Sequence, residues 1–175
     1  MTNLTEHFTL EELTYSDTAK KYNIKNTPTE VHLKTLKHTC EYFLEPLRTL
    51  FNDNYKTYSN KTVKQAVIKI TSGYRSAELN KKIGGATKSM HQDGQAADFD
   101  VILVFTDGSK FKLPYRETYN FIKKQVKNNK ISVDQLICES SNDTYWVHAS
   151  YKAGGASVNR KQFLIYSNGV YTTDK

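Results

Sequence analysis

His91 and Asp98 sit at the two ends of the segment Ser89-Met-His91-Gln-Asp-Gly94-Gln-Ala96-Ala-Asp98, and His148 lies far along the chain in Trp146-Val-His148-Ala-Ser150. The step from 91 to 98 is too long for one helix face but suits two sides of a tight loop, which Gly94 lets the backbone turn. Two neutral imidazoles and one carboxylate can hold a divalent cation such as Zn²⁺ and leave a fourth position for water, the arrangement of catalytic rather than structural zinc. Water bound there has its pKa lowered to roughly 7, which makes hydrolysis at neutral pH accessible. Each histidine alone has an ordinary alternative: a loop side chain at 91, a hydrogen-bonded strand histidine at 148. The case rests on the three together. His7, His32 and His38 fall in the leading segment or on a core helix and read as surface or structural residues.

Hydrolysis also needs a proton carrier and a group to stabilise developing negative charge. Glu139 ends the apolar stretch Asp134-Gln-Leu-Ile-Cys-Glu139, and a hairpin through Ser140 to Thr144 would lay it beside the strand carrying His148. It is the candidate general base, with an exposed strand-end carboxylate as the alternative. Arg75, in the turn Ser72-Gly-Tyr-Arg75, can clamp a carboxylate or an oxyanion through its fork of donors.

The surrounding pattern supplies elements to position these groups. Thr9 to Glu12 has capping-box spacing and opens a short helix. Thr27, Pro28 and Glu30 predict the next helix start, followed by an apolar stripe through Leu36, Cys40, Phe43, Leu44, Leu47, Leu50 and Phe51. Pro46 should kink or divide this helix. Asn52 to Lys61 reads as a loop, Ala66 to Ile70 as a strand, and Ser76 to Ile83 as a short helix stopped by Gly84-Gly85. Ala97 to Phe105 is a second strand, with Asp107-Gly108 turning it toward Lys110 to Leu113. Tyr115 to Val126 is a second long helix; Asp134 to Glu139, Tyr145 to Ser150, Gln162 to Tyr166 and Val170 to Thr172 are further strands. Alternation places Ala96, Asp98 and Asp100 on one strand face and Ala97, Phe99, Val101, Leu103 and Phe105 on the other. The expected fold is α+β, a mainly antiparallel sheet with helices packed on one face and the zinc site in a cleft on the opposite face. Residues 1–175 are expected to form a single domain, with 1–60 a mainly helical N-terminal part and 61–175 the zinc-binding core.

Composition narrows the classes. Hydrophobic residues make up 38% and charged residues 25% of 175, a globular balance. The longest hydrophobic run, Val101 to Phe105, has strand length, so no transmembrane segment is expected. The opening MTNLTEHFTL has neither the basic start nor the apolar run of a secretory signal. Cys40 and Cys138 form no C-x-x-C pair and read as buried thiols. The net charge of +7 attracts any polyanion. Yet Lys123, Lys124, Lys127 and Lys130 decorate one helix and its end rather than forming a stripe with a nucleic-acid motif, so no nucleic-acid partner is expected.

Ser72-Gly-Tyr-Arg75-Ser, Ser89-x-His91-x-x-Gly94-x-Ala96-x-Asp98 and Trp146-Val-His148 together resemble the zinc D-Ala-D-Ala carboxypeptidase family. That family includes vancomycin-resistance D,D-dipeptidases and phage endolysins that cut L-alanyl-D-glutamate bonds. Phe8-Thr-Leu-Glu-Glu-Leu13, Ser16-Asp-Thr-Ala19 and Leu44-Glu-Pro-Leu-Arg48 resemble its branch with a helical N-terminal part, so the likeness runs from about Phe8 to about Ser150. The resemblance implies one zinc ion on His91, Asp98 and His148, Arg75 as the substrate- and transition-state-binding arginine, and Ser89 and Tyr74 lining the substrate site. Many relatives carry an acid or histidine three residues before the last ligand histidine; here that position is Tyr145, and Glu139 on the adjacent strand is the substitute. The implied activity is a carboxypeptidase or endopeptidase acting on peptidoglycan stem peptides, working as a monomer. Synthesis without a signal peptide then suits a phage endolysin, a virion-associated enzyme or a prophage-encoded one that reaches the wall after release. The alternative is a zinc-stabilised module of the same fold that binds wall peptides or a protein without turnover.

Overall fold

A computed structural model describes residues 2–141 and 143–174. The chain opens with two short helices, α1 (Leu10–Thr14) and α2 (Asp17–Lys21). The Thr9 hydroxyl accepts the Glu12 amide at 3.2 Å and the Glu12 carboxylate accepts the Thr9 amide at 3.3 Å, the reciprocal pair expected at this start. The next helix, α3 (Glu30–Thr39), is capped by Thr29, whose hydroxyl accepts the His32 amide. This corrects the expected start at Thr27: both threonines can cap, but only Thr29 stands three residues before the donor it satisfies.

From Cys40 to Leu44 the helix widens into π-type turns before continuing as α4 (Glu45–Asn54). Pro46 is the reason. It has no N–H to give, and its ring would crowd the carbonyl of Tyr42 in a regular ladder. Wider turns just ahead of it, in which the Glu45 amide reaches back to Cys40, remove the conflict without breaking the helix.

The stretch expected as a loop, Asn52 to Lys61, is ordered differently. After α4 ends, β1 (Thr57–Tyr58) pairs with the start of a long strand, β2 (Lys61–Ser72). Ser59 and Asn60 both take positive φ, 47° and 63°, the backbone of a tight two-residue hairpin. Helix α5 (Ala77–Lys82) follows, capped by Ser76. Then come β3 (Ala96–Phe105), β4 (Lys110–Lys112), α6 (Tyr115–Lys127), β5 (Gln135–Ser141), β6 (Thr144–Ser150), β7 (Gln162–Ser167) and β8 (Val170–Thr173). In the expected hairpin from Ser140 to Thr144, Ser141 pairs with Thr144, while Asn142 lies outside the described residues.

Among the described residues the eight strands form one sheet in the order β1-β2-β3-β6-β5-β7-β8, with β4 on the free half of β3. Every pairing is antiparallel except β5 with β7. The fold is therefore mixed α+β with a mostly antiparallel sheet, as expected. Strand alternation divides its residues cleanly. Ala97, Phe99 and Val101 of β3, Leu136 and Cys138 of β5, and Val147 and Ala149 of β6 join helix residues such as Leu36, Phe43, Leu47 and Phe51 in one core. Residues of the other parity, Asp98, Ile137, Glu139, Trp146 and His148, line a cleft of about 420 Å³. Among the described residues no helix is long and apolar enough to cross a membrane.

Candidate metal centre

Asp98 on β3 and His148 on β6 are directly opposed across an antiparallel pair. Opposed side chains on one face start with Cβ atoms about 4.5–5.5 Å apart, so the register alone brings them into contact. His148 Nδ1 lies 2.8 Å from Asp98 Oδ1.

His91 comes from the loop between α5 and β3. Gly94 takes φ +68°, and a Cβ there would press on the His32 carbonyl and Leu36 of α3 at 3.0 Å. The Thr39 hydroxyl donates to the Gly94 carbonyl at 2.9 Å, so the loop is fastened to the helix beneath it. The result places His91 Nε2 3.2 Å from His148 Nδ1 and 3.3 Å from Asp98 Oδ1.

The donor set fits a cation. His91 Nδ1 is 2.7 Å from the Gly73 carbonyl, which can only accept, so Nδ1 carries the proton and Nε2 presents its lone pair to the cluster. One lone pair, a second ring nitrogen and a carboxylate oxygen thus converge on one point. A proton on His148 Nδ1 can serve one of them; a cation serves all three. Ligands at about 2.0–2.1 Å in tetrahedral array stand about 3.3 Å apart, which two of the three edges match. Among the described residues this is the only cluster of three His, Cys, Asp or Glu side chains able to hold a metal ion in this way.

The protonation states agree. Burial opposes the charge on Asp98, yet the facing imidazoles, His148 by a hydrogen bond, hold its carboxyl far below the usual range. Burial also keeps the His91 imidazole neutral, against the pull of Asp98. An ionised carboxylate and a neutral imidazole are the forms a metal takes.

Gly73 has its own reason to be glycine. A Cβ there would fall 2.3 Å from the Leu13 carbonyl oxygen, where the end of α1 crosses the strand exit. The same crossing gives the Tyr74 amide its bond to Leu13. Its carbonyl, held in place this way, orients His91.

Arg75 is brought to the other side of Asp98. Its Nη2 lies 2.6 Å from Asp98 Oδ2, and Nε donates to the Ser72 hydroxyl at 2.9 Å. The guanidinium therefore orients the carboxylate whose second oxygen enters the cluster, and three of its five N–H donors lie beyond these two contacts. It also borders the cleft, as does Ser89. Tyr74 is set apart: the residue is 5% exposed, its ring lies 5.3 Å from the His32 ring, and it lines a neighbouring cavity that shares Arg75 and Ile83 with the cleft.

Glu139 lines the cleft in the same sheet face as Ile137, which is the register partner of His148. Burial raises its carboxyl to about 7, partly offset by His148, Arg75 and a hydrogen bond from the Trp146 side chain, and reinforced by Asp98. A carboxyl poised there can take and return a proton at neutral pH.

Sequence reasoning missed Ser72 and the Gly73 carbonyl as supports, and Tyr166 and Tyr171 as cleft residues. The last two lie in the C-terminal stretch, where the sequence offers only a strand pattern.

A family model described as Peptidase M15 matches residues 6–120. No curated protein matches the chain. The match includes Arg75, His91 and Asp98 and stops short of Glu139 and His148, which the sheet register brings to the same cleft. With that span of its 175 residues covered, the chain belongs to the peptidase M15 family of metallopeptidases, the zinc D-Ala-D-Ala carboxypeptidase family that its motifs resemble.

Proposed function

We propose that this protein is a zinc-dependent peptidase that hydrolyses peptide bonds in the stem peptides of bacterial peptidoglycan. His91, Asp98 and His148 hold one zinc ion. The observation that carries this reading is the convergence of His91 Nε2, Asp98 Oδ1 and His148 Nδ1 within 2.8–3.3 Å, with the tautomer of His91 fixed from behind by Gly73. When bound, zinc supplies Lewis acidity to the scissile carbonyl and to the attacking water.

The chain's own residues do the rest. Glu139 removes a proton from the attacking water and delivers it to the leaving amine, a transfer its pKa of about 7 suits. Arg75 holds Asp98 and offers its remaining donors to a substrate carboxylate or to the oxyanion. Ser89 borders the substrate, and Tyr74 lines the adjoining cavity that shares Arg75 with the cleft. The +7 net charge favours an anionic wall polymer. We place its action at the cell wall, as a monomer, after release from the cytoplasm or as part of a virion, and favour a phage or prophage lysis enzyme.

Tyr145 stands where many relatives carry an acid or histidine, which keeps a non-catalytic, zinc-stabilised wall-binding module in view as the second reading. Digestion of purified peptidoglycan with mass analysis of the products, with and without a chelator, separates the two. The peptidase reading expects new amino termini that chelation abolishes and added zinc restores. Zinc-loaded protein that releases no fragments would favour the binding module.

A further inference from the structure

The cleft extends beyond the metal centre along one row of side chains. Trp146 on β6 opposes Glu139 on β5, Glu139 is in register with Tyr166 on β7, and Tyr166 opposes Tyr171 on β8. All four line the same cavity as His91, Asp98 and His148. The two phenol rings lie 4.6 Å apart, centroid to centroid, and Tyr171 is 56% exposed. Neither tyrosine falls within residues 6–120, where the family match lies.

Strand spacing converts this row into a length. From β6 to β8 there are three strand steps of about 4.8 Å, roughly 14 Å in all. An extended peptide advances about 3.3–3.4 Å per residue, so a chain that crosses this row of strands from β6 to β8 is about four residues long.

We propose that Tyr166 and Tyr171 form a distal subsite that selects for long substrates, packing against the peptide about three to four residues from the bond that is cut. This rests on the peptidase reading of the cleft. Paired aromatic rings offer a broad apolar surface at small conformational cost, suited to the backbone and aliphatic parts of a stem peptide. The protein then acts on the wall polymer or its cross-links in preference to trimming free dipeptides.

The chain's one tryptophan, Trp146, sits in this row and reports occupancy without turnover. Two series test the proposal: cleavage by the zinc-loaded protein, and Trp146 fluorescence titrations on zinc-loaded Glu139→Gln protein. Both use L-alanyl-D-glutamate, D-alanyl-D-alanine, a stem pentapeptide and a cross-linked muropeptide. The expected result is a gain of about tenfold or more in kcat/KM and in affinity from dipeptide to the longer probes. Tyr171→Ala removes that gain and leaves dipeptide binding and thermal stability unchanged; Tyr171→Phe keeps it, because the ring face makes the contact. Equal affinity for short and long probes, or a length gain that survives Tyr171→Ala or is lost in Tyr171→Phe, overturns the subsite while leaving the peptidase reading intact. Length-dependent binding in a protein that cuts none of the probes would instead defeat the peptidase reading and leave the subsite standing.

Discussion

Ile137 faces His148 across the β5–β6 pair, and Glu139, one same-face step further along β5, faces Trp146. This register puts a buried carboxyl with a pKa of about 7 over the same cleft as His148. The candidate acid-base carboxyl thus lies on the strand beside the one that carries His148.

Glu139→Gln should lower kcat by about 10²- to 10⁴-fold while zinc content stays at the wild-type level. The pH profile carries the sign. Glu139 must be ionised to accept a proton, so wild-type kcat/KM rises with pH below about 7 and levels off above it. The residual activity of the variant should lack that limb. Steady-state kinetics from pH 5 to 9 check both outcomes, and a variant of unchanged activity would remove Glu139 from the mechanism.

Gly73→Ala should be costly far beyond its size. Its Cβ would meet the backbone oxygen of Leu13, which cannot move without displacing α1. We expect destabilisation of about 1–3 kcal/mol. Because the Gly73 carbonyl holds His91 Nδ1, zinc affinity should also fall about 10- to 100-fold. Thermal melts in excess zinc, paired with competition against a chromophoric chelator, separate the two effects.

How much of this was legible in sequence depends on the range of the interaction. The two faces of β3 follow from alternation alone, so Asp98 can be assigned to a cleft before any partner strand is known. The capping box at Thr9 is equally local. Thr29 rather than Thr27 as the cap is a choice between two good local candidates, which propensity does not rank. The hairpin at Ser59-Asn60 lacks the Asn-Gly or Asp-Gly signature and hides in a polar stretch. Tyr166 and Tyr171 are illegible for a different reason. Their place beside Glu139 depends on the parallel pairing of β5 with β7, which β6 separates in sequence, and period-two alternation names a face without naming its neighbours.

Asp134 gives a test of stability away from the cleft. It is fully buried and bonded by Arg160 through Nε and Nη2 and by Lys152 at 3.0 Å, which ties the segment after β6 to the start of β5. Burial opposes its charge, but Arg160 and Lys152 lower its pKa below the ordinary value. A depressed carboxyl stabilises above its unfolded pKa of about 3.9 and loses that contribution as pH falls toward the folded value. Asp134→Asn should therefore cost about 1.5–3 kcal/mol at pH 7, a difference that shrinks below about pH 4. Chemical denaturation of both proteins at several pH values reads it directly.

Arg75→Lys should impair zinc retention as well as catalysis, since a single ammonium cannot span Asp98 and Ser72 together. The expected losses are about 10- to 100-fold in metal affinity. A variant with normal zinc affinity and reduced turnover would assign Arg75 to substrate alone.

The metal content of the purified protein tests the central claim most directly. Elemental analysis after dialysis against metal-free buffer should find about one zinc per chain in the wild type and far less in Asp98→Ala and His148→Ala, with both variants folded by circular dichroism. A wild type that holds no divalent metal even after zinc is supplied, or variants that keep the full complement, would contradict the account.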